Sequence, residues 1–156
     1  MSETSTLQMK RVIKAKRERV FAAWIQPELM RQWFAPGAMA VAEVETGARP
    51  GGTYRIAMEG DNGSGKCVSS RVSGVYQTMI PNELLRFTWG WVGNTAPETV
   101  VTVEFKDVEG GTEVTLTHEG FENEDARGKH EHGWRGCLDK LERVYDPAPT
   151  LQAAVR

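Results

Sequence analysis

The segment GKHEHGW, residues 128–134, contains two of the three histidines of the chain, His130 and His132, with a glutamate between them. Imidazole groups can bind a metal ion or transfer protons near neutral pH. Side chains two residues apart share a face on a strand, whereas on a helix they point about 200° apart. The element that carries this segment therefore decides whether the two histidines can act together.

The sequence that follows indicates a helix over residues 125–146. Apolar residues recur every three or four positions from Trp134 to Tyr145, which is the spacing of an amphipathic helix. His130 and His132 then point in different directions, so we predict neither a metal site nor a cofactor. His130 lies one helical turn before Trp134 and is placed toward the interior. A surface or capping role for either histidine stays open.

Carboxylates near His130 raise the alternative of general acid–base catalysis. Four acidic residues lie within residues 119–125, and a histidine–carboxylate pair can move protons when it is partly desolvated. Acidic residues just before a helix are also expected, because they interact favourably with the helix dipole. The sequence has no Ser-His-Asp order and no phosphate loop. His130 is thus a weak catalytic candidate, and enzymatic activity stays open, with a non-enzymatic role favoured.

Glycines in the predicted helix are a further unusual feature. They are Gly128, Gly133 and Gly136. Each glycine inside a helix costs about 1 kcal/mol relative to alanine. Their presence suggests a structural reason, either a close approach of the helix to a sheet or a kink beside a cavity.

The remaining elements follow from the hydrophobic period. Alternation with a period of two predicts strands near residues 7–13, 39–46, 52–59, 66–80, 84–91, 99–107 and 111–119. Helical spacing after the first strand predicts two short helices, over residues 15–25 and 27–34, with Pro27 ending the first and opening the second. Neighbouring strands that short turns connect should pair antiparallel.

These elements predict an α+β fold. A sheet of six or seven antiparallel strands has one apolar face to cover, and the long C-terminal helix has the apolar stripe to cover it. The sheet would curve around that helix, with the two short helices closing one end. One helix rarely fills such a space, so we expect an internal cavity. We expect a single domain over residues 1–146 and a flexible tail over residues 147–156.

Composition excludes several classes of protein. A net charge of −2 argues against a general nucleic-acid or anionic-membrane binder, which needs a basic surface. The two cysteines, Cys67 and Cys137, are too few for a disulfide framework and match no zinc spacing, so we expect reduced thiols. The chain has no signal peptide at its start and no stretch of about 18 apolar residues. We therefore predict a soluble cytoplasmic protein.

Five sequence motifs occur in a fixed order. They are RVFAAWIQPELMRQWFAPG (19–37), RPGGTYR (49–55), GVYQTMIPNELLRFTWGW (74–91), VTVEFKDVEGGTEVTLTHEGF (101–121) and HGWRGCLDKLERV (132–144). Together they resemble the activator of Hsp90 ATPase homologue family, within the START-like (SRPBCC, helix-grip) superfamily. The resemblance covers about residues 7 to 146 and implies a helix-grip fold with an internal hydrophobic cavity.

The resemblance leaves three functions open. Some relatives bind lipids or hydrophobic small molecules, which is the function that we rank first. The eukaryotic members stimulate the ATPase of the chaperone Hsp90 and carry a separate N-terminal domain that does much of the binding, so a chaperone partner and a stress-response role are a second possibility. Some distant relatives cyclise polyketides, so a cyclase-like enzyme is a third. The chain could be a monomer, or a homodimer that pairs exposed sheet edges.

The predicted cavity wall is mainly aromatic. The residues assigned to it are Trp33, Phe34, Tyr54, Met58, Arg71, Phe87, Trp89, Trp91, His130 and Trp134. An apolar wall with a few polar groups is typical of small-molecule sites. The alternative is that these side chains simply form a core.

Arg71 is the charged member of this set. In its predicted strand it lies on the face opposite Val72, Tyr76 and Ile80. If the strand turns Arg71 inward, a guanidinium in an apolar cavity needs a carboxylate or an anionic ligand as its partner, and it would anchor that ligand. An Arg71 side chain that points to solvent is the alternative.

Overall fold

The computed structural model describes residues 6–35, 37–61, 65, 67–93 and 98–146. Its elements in chain order are β1 (Thr6–Ile13), α1 (Arg17–Ala22), α2 (Pro27–Met30), β2 (Ala40–Thr46), β3 (Thr53–Asp61), β4 (Cys67–Ile80), β5 (Leu84–Trp91), β6 (Thr99–Val108), β7 (Gly111–Glu119) and α3 (Glu124–Tyr145). The seven strands, the two short helices after the first strand and the long C-terminal helix confirm the predicted α+β fold. The predicted tail, residues 147–156, lies outside the described residues.

Both short helices end earlier than predicted, at Ala22 and Met30. Beyond each helix the chain tightens into turns in which an amide bonds the carbonyl three residues back. Trp24 bonds Phe21 in this way at 3.0 Å, and Trp33 bonds Met30 at 3.2 Å. The apolar side chains in these turns stay buried, so the helical period continues in the packing after the helix itself has ended.

The strands form one antiparallel sheet in the order β1-β7-β6-β5-β4-β3-β2. Helices α1 and α2 connect its two edge strands, β1 and β2. The alternation of Leu85 with Phe87 in β5 and of Leu116 with His118 in β7 predicts an inward face for each strand, and all four side chains are buried. This face carries the core and one side of the site described below.

Strand β4 departs from the predicted alternation. Its pairing with β5 shifts register between Tyr76 and Thr78, and a bulge of this kind sets two residues opposite one. Tyr76 is buried, but beyond the bulge Met79 packs against the core and Ile80 is 44% exposed. The prediction that Ile80 lies on the same face as Val72 and Tyr76 was therefore wrong.

Helix α3 is held at its start and along its length. The side chain of Asn123 accepts a hydrogen bond from the amide of Ala126 at 2.8 Å, which satisfies a donor that the first turn leaves unpaired. Arg11 of β1 contacts Asp139 at 2.8 Å and Glu142 at 3.1 Å. These contacts fix the helix against the edge of the sheet.

None of the described helices has the length and apolar character that crossing a membrane requires.

Candidate functional site

A cavity of about 1020 Å³ lies between α3, strands β4 and β5, and the segment that joins α2 to β2. The sheet contributes Ser69, Ser70, Arg71, Trp89 and Trp91 to its wall. Helix α3 contributes Ala126, His130, Gly133, Trp134 and Cys137. Phe34 and Met39 border it on the side of the short helices.

Of the ten residues predicted for a cavity wall, six line this cavity. They are Phe34, Arg71, Trp89, Trp91, His130 and Trp134. The other four, Trp33, Tyr54, Met58 and Phe87, are buried in the core and do not line it. Trp33 donates its indole N–H to the carbonyl of Ala23 at 2.9 Å, and the Tyr54 hydroxyl donates to the carbonyl of Thr88 at 2.6 Å. Alternation along a strand identifies the side chains that point inward. It does not identify which of them helix α3 leaves uncovered, and only those can line the cavity.

Arg71 lies at the margin of the cavity with an exposed side chain. Its neighbour Val72 is fully buried, and adjacent residues on a strand point to opposite faces. The inward orientation considered for Arg71 is thus not the one observed. Lys129 and Asp125 of α3, which also line the cavity, pair at 3.3 Å, so charges of both signs border the opening.

The deep wall of the cavity is a cluster of aromatic rings around Trp89. The ring centroid of Trp89 lies 5.2 Å from that of Trp134 and 5.5 Å from that of Trp91. Phe34 stacks on Trp89 at 6.2 Å, and Trp24 stacks on Trp134 at 5.9 Å. Aromatic pairs at such distances contribute about 0.5–1.5 kcal/mol beyond the burial of their area. The contacts therefore hold the wall in place independently of any ligand.

His130 lies in this wall as a neutral hydrogen-bond acceptor. Its Nδ1 is 2.8 Å from the carbonyl oxygen of Ala126, and its Nε2 is 2.9 Å from the indole nitrogen of Trp91. A carbonyl only accepts and an indole only donates, so the ring hydrogen lies on Nδ1. Burial lowers the pKa of His130 below its ordinary 6.5, against the opposite effect of the Ala126 carbonyl. No described hydrogen bond of His130 involves a carboxylate.

His118 lies behind the cavity wall, and the sequence analysis did not select it. It is fully buried, and its Nδ1 accepts a hydrogen bond from the indole N–H of Trp134 at 3.0 Å. Its Nε2–H then donates to the Thr99 hydroxyl at 2.7 Å, which donates to the carbonyl of Trp89 at 3.3 Å. Burial lowers the pKa of His118 well below 6.5, and the nearby His130 lowers it further.

A signal for His118 was present in the sequence. The alternation of Val114, Leu116 and His118 places the imidazole on the inward face, and a buried polar group needs a hydrogen-bond partner. Nothing in the sequence identifies Trp134 as that partner, because the two residues lie on different elements. The ring centroids of His118 and His130 are 5.2 Å apart. Each imidazole accepts from a different indole, His118 from Trp134 and His130 from Trp91.

Trp89 carries a buried polar atom without a partner. Its indole N–H has no hydrogen-bond acceptor among the described residues. A buried donor that stays unpaired costs about 1–3 kcal/mol, and the Trp89 side chain borders the cavity.

Two of the helix glycines have open space beside them. No heavy atom lies within 4 Å of the position that a Cβ would take at Gly128 or Gly133. A close approach to the sheet therefore does not explain these two glycines. Gly133 borders the cavity, whereas Gly128 does not, so a side chain at Gly133 would extend into the space available to a ligand.

Cys137 lines the cavity as a neutral thiol. It is buried, and burial raises its pKa to about 12, although Lys140 nearby acts in the opposite direction. The thiolate is the nucleophilic form of cysteine, so Cys137 acts here as a small apolar side chain. Cys67, the other cysteine, is exposed.

Comparison with known proteins places the chain in a family. The family model described as Activator of Hsp90 ATPase homolog 1-like protein matches residues 14–146. The chain belongs to this family. The resemblance carried by the five sequence motifs is thereby confirmed. A comparison with curated proteins finds no match to this AHSA1-like chain.

Solved structures share the fold of the AHSA1-like chain. A protein from Chromobacterium violaceum is 24% identical, with a TM-score of 0.78, over 92% of this chain and 98% of that one. A protein from Arthrobacter aurescens is 22% identical, with a TM-score of 0.79, over 93% and 88%. The AHSA1 protein from Silicibacter pomeroyi is 23% identical, with a TM-score of 0.74, over 90% and 96%. These identities support a common fold only.

The AHSA1-like site combines apolar ring surface in its deep wall with polar and charged side chains at its margin, among them Arg71, Asp125 and Lys129. Such a combination can enclose an apolar molecule and fix its orientation. For general base catalysis, His130 would have to give up the hydrogen bond from Trp91, because that bond occupies its free lone pair. The arrangement thus suits binding better than proton transfer.

Proposed function

We propose that this chain binds an apolar small molecule or a lipid in the cavity beside α3. The observation that carries the proposal is the cavity itself, about 1020 Å³ with an aromatic wall. Ligand sites usually have volumes of about 300–1,000 Å³ and mainly apolar linings. The cavity is thus large enough for a molecule of about the size of a drug or a short lipid.

The protonation states of the wall support an uncharged ligand. His130 in the wall and His118 behind it are neutral, because both imidazoles accept indole hydrogen bonds. The Cys137 thiol is neutral because burial raises its pKa. An apolar molecule can therefore enter the deep part of the cavity without removing water from a charged group. A strongly charged ligand would lose its own hydration there without gaining a counter-charge in the deep wall.

A chaperone-related role is the second candidate. It rests on the family, whose description refers to activation of the Hsp90 ATPase. An assay of Hsp90 ATPase activity with and without the purified chain tests it directly. A cyclase-like reaction in the same cavity is less favoured, because both nitrogen atoms of His130 already take part in hydrogen bonds.

Native mass spectrometry of the freshly purified protein tests the binding function. We expect an excess mass on the folded protein that denaturation releases. A Gly133→Leu variant should lack the excess, because leucine fills space in which no atom lies within 4 Å of the Cβ position. Gly128→Leu is the matched control, since Gly128 has the same open surroundings but does not border the cavity. An equal excess on the Gly133→Leu variant would show that the ligand binds elsewhere.

A further inference from the structure

Ser70 places a hydroxyl group in the cavity wall. Its Cα partner on β3 is Met58, and Val72 lies two residues further along β4. Both of these side chains are buried, and residues that pair across two strands or alternate along one strand share a face of the sheet. The side chain of Ser70 therefore points inward. It is half-buried and lines the cavity, so a molecule inside the cavity can reach its hydroxyl.

The hydroxyl of Ser70 has no hydrogen-bond partner among the described residues. The nearest polar groups of the wall are already paired, because the indole N–H of Trp91 donates to His130 at 2.9 Å and that of Trp134 donates to His118 at 3.0 Å. A serine hydroxyl carries one donor hydrogen and two acceptor lone pairs. Ser70 thus keeps a free donor for a ligand without breaking a bond in the wall.

We infer that the ligand carries a carbonyl group, as a ketone or an ester does, whose oxygen accepts a hydrogen bond from Ser70 while its apolar part packs against the aromatic wall. This inference rests on the binding function proposed above. A carbonyl has no hydrogen of its own, so the single donor of Ser70 gives it the partner that it needs. Trp91 is the Cα partner of Val72 on β5, which places apolar ring surface beside the hydroxyl.

Other polar groups suit this position less well. Among the described residues that line the cavity, carboxylates outnumber basic side chains; they are Asp61, Glu122 and Asp125 against Arg71 and Lys129. An anionic ligand would therefore meet more negative than positive groups. An ammonium group at Ser70 would find one neutral acceptor for its three hydrogens and would lose hydration that the site does not replace. A ligand hydroxyl that accepts from Ser70 would keep its own hydrogen unpaired in the contact.

Two probes of nearly the same shape separate carbonyl recognition from simple apolar binding. They are 2-acetylnaphthalene and 2-isopropenylnaphthalene, which differ in a carbonyl oxygen against a methylene group. In calorimetric titrations, the ratio of the Kd of 2-isopropenylnaphthalene to that of 2-acetylnaphthalene should be about fivefold higher for wild type than for Ser70→Ala. That factor corresponds to the net gain of one hydrogen bond. Ser69→Ala is the matched control and should keep the ratio of wild type, because Ser69 also lines the cavity but is exposed and points to the other face of β4.

The outcomes distinguish failure of this inference from failure of the binding function. Equal ratios in wild type and Ser70→Ala would overturn carbonyl recognition, while 2-isopropenylnaphthalene binding that Gly133→Leu abolishes would still support the cavity as a ligand site. Wild type that binds neither probe would contradict both.

Infrared spectroscopy of bound 2-acetylnaphthalene, labelled with carbon-13 at its carbonyl, gives a second and independent readout. A hydrogen bond from Ser70 weakens the C=O bond, so the carbonyl stretch should lie at a lower wavenumber in wild type than in Ser70→Ala. The same wavenumber in both proteins would overturn the inference, even if the two affinities differ.

Discussion

The indole N–H of Trp134 donates to Nδ1 of His118 across 3.0 Å and thereby joins α3 to β7. The hydrogen-bond chain continues from His118 to Thr99 of β6 and from Thr99 to the carbonyl of Trp89 in β5. One helix and three neighbouring strands are thus connected behind the cavity wall. Because every hydrogen in this chain has a defined acceptor, the wall keeps one arrangement.

Trp134 should be among the most sensitive positions for stability. Its side chain is 3% exposed, so Trp134→Ala should lower the free energy of unfolding by about 3–5 kcal/mol. Trp134→Phe keeps most of the packing but leaves Nδ1 of His118 without a donor, which should cost about 1–3 kcal/mol. Urea denaturation measures both changes. A loss below about 1 kcal/mol for Trp134→Ala would contradict the placement of α3 against the sheet.

The buried histidines should make the protein less stable in mild acid. The pKa values of His118 and His130 in the folded state are lowered from 6.5, so the unfolded chain binds more protons once the pH falls below that value. Stability is then complete above about pH 6.5 and decreases below it, by up to about 1.4 kcal/mol per pH unit for each histidine. Urea denaturation at pH values between about 7.5 and 5.5 measures the slope.

Matched variants assign this pH dependence to the buried imidazoles. His118→Gln should be less stable at neutral pH and should show a shallower slope, because it removes one group that titrates between the folded and unfolded states. His130→Gln should also show a shallower slope than wild type, because burial lowers the pKa of His130 in the folded state as well. A His118→Gln variant with the slope of wild type would show that His118 does not contribute to the acid sensitivity.

Asn123 should contribute to stability as the N-cap of α3. Its side chain accepts from the amide of Ala126 at 2.8 Å, so Asn123→Ala should lower the free energy of unfolding by about 1 kcal/mol. Asn123→Asp keeps an acceptor oxygen and should stay close to wild type. Thermal denaturation of the two variants in parallel provides the measurement, and equal losses would argue against a capping role.

The fold was largely predictable, because local pattern determines it. Alternation located all seven strands, since in strands such as β6 and β7 buried side chains alternate with more exposed ones. The bulge in β4 was not predictable, because the alternation of Val72, Tyr76 and Ile80 continues through it in the sequence while the register changes and exposes Ile80. The ends of α1 and α2 were also predicted wrongly. The helical spacing of buried side chains continues past the last helical turn, so the sequence pattern does not show where each helix ends.

The candidate site was predictable only in part. His130 and Trp134 were placed toward the cavity because their helix has a clear period, and Trp89 and Trp91 because their strand alternates. Tyr54 also points inward from its strand, yet it lies in the core. Whether an inward side chain lines the cavity or the core depends on where the contact between α3 and the sheet ends. That boundary is a property of the tertiary structure, as are the pairings of each indole with its histidine.

The two cysteines should differ strongly in reactivity. Cys67 is exposed, whereas Cys137 is buried with a pKa raised to about 12, and only a thiolate reacts readily with disulfide reagents. In native protein, one thiol should react quickly and the second only after denaturation. Cys67→Ser should remove the fast phase. A fast phase that persists in this variant would show that solvent reaches Cys137 at the cavity wall.

Alanine at Gly133 should stabilise the protein. Glycine in a helix costs about 1 kcal/mol relative to alanine, and a Cβ at this position contacts no other atom within 4 Å. Gly133→Ala should therefore raise the free energy of unfolding by about 0.5–1 kcal/mol, and Gly128→Ala should act similarly. Glycine at position 133 would then lower stability while leaving the space beside it open. This is expected if the function of the protein requires that space.

The most direct test of the account is calorimetric titration of 2-methylnaphthalene into wild type, Gly133→Leu and Gly128→Leu under identical conditions. The account predicts the same Kd for wild type and Gly128→Leu, and binding at least about tenfold weaker, or more than about 1.4 kcal/mol less favourable, for Gly133→Leu. The Gly133→Leu protein should nevertheless be as stable as wild type. Binding by a folded Gly133→Leu protein with the affinity of wild type would contradict the claim that the space beside Gly133 is the ligand site.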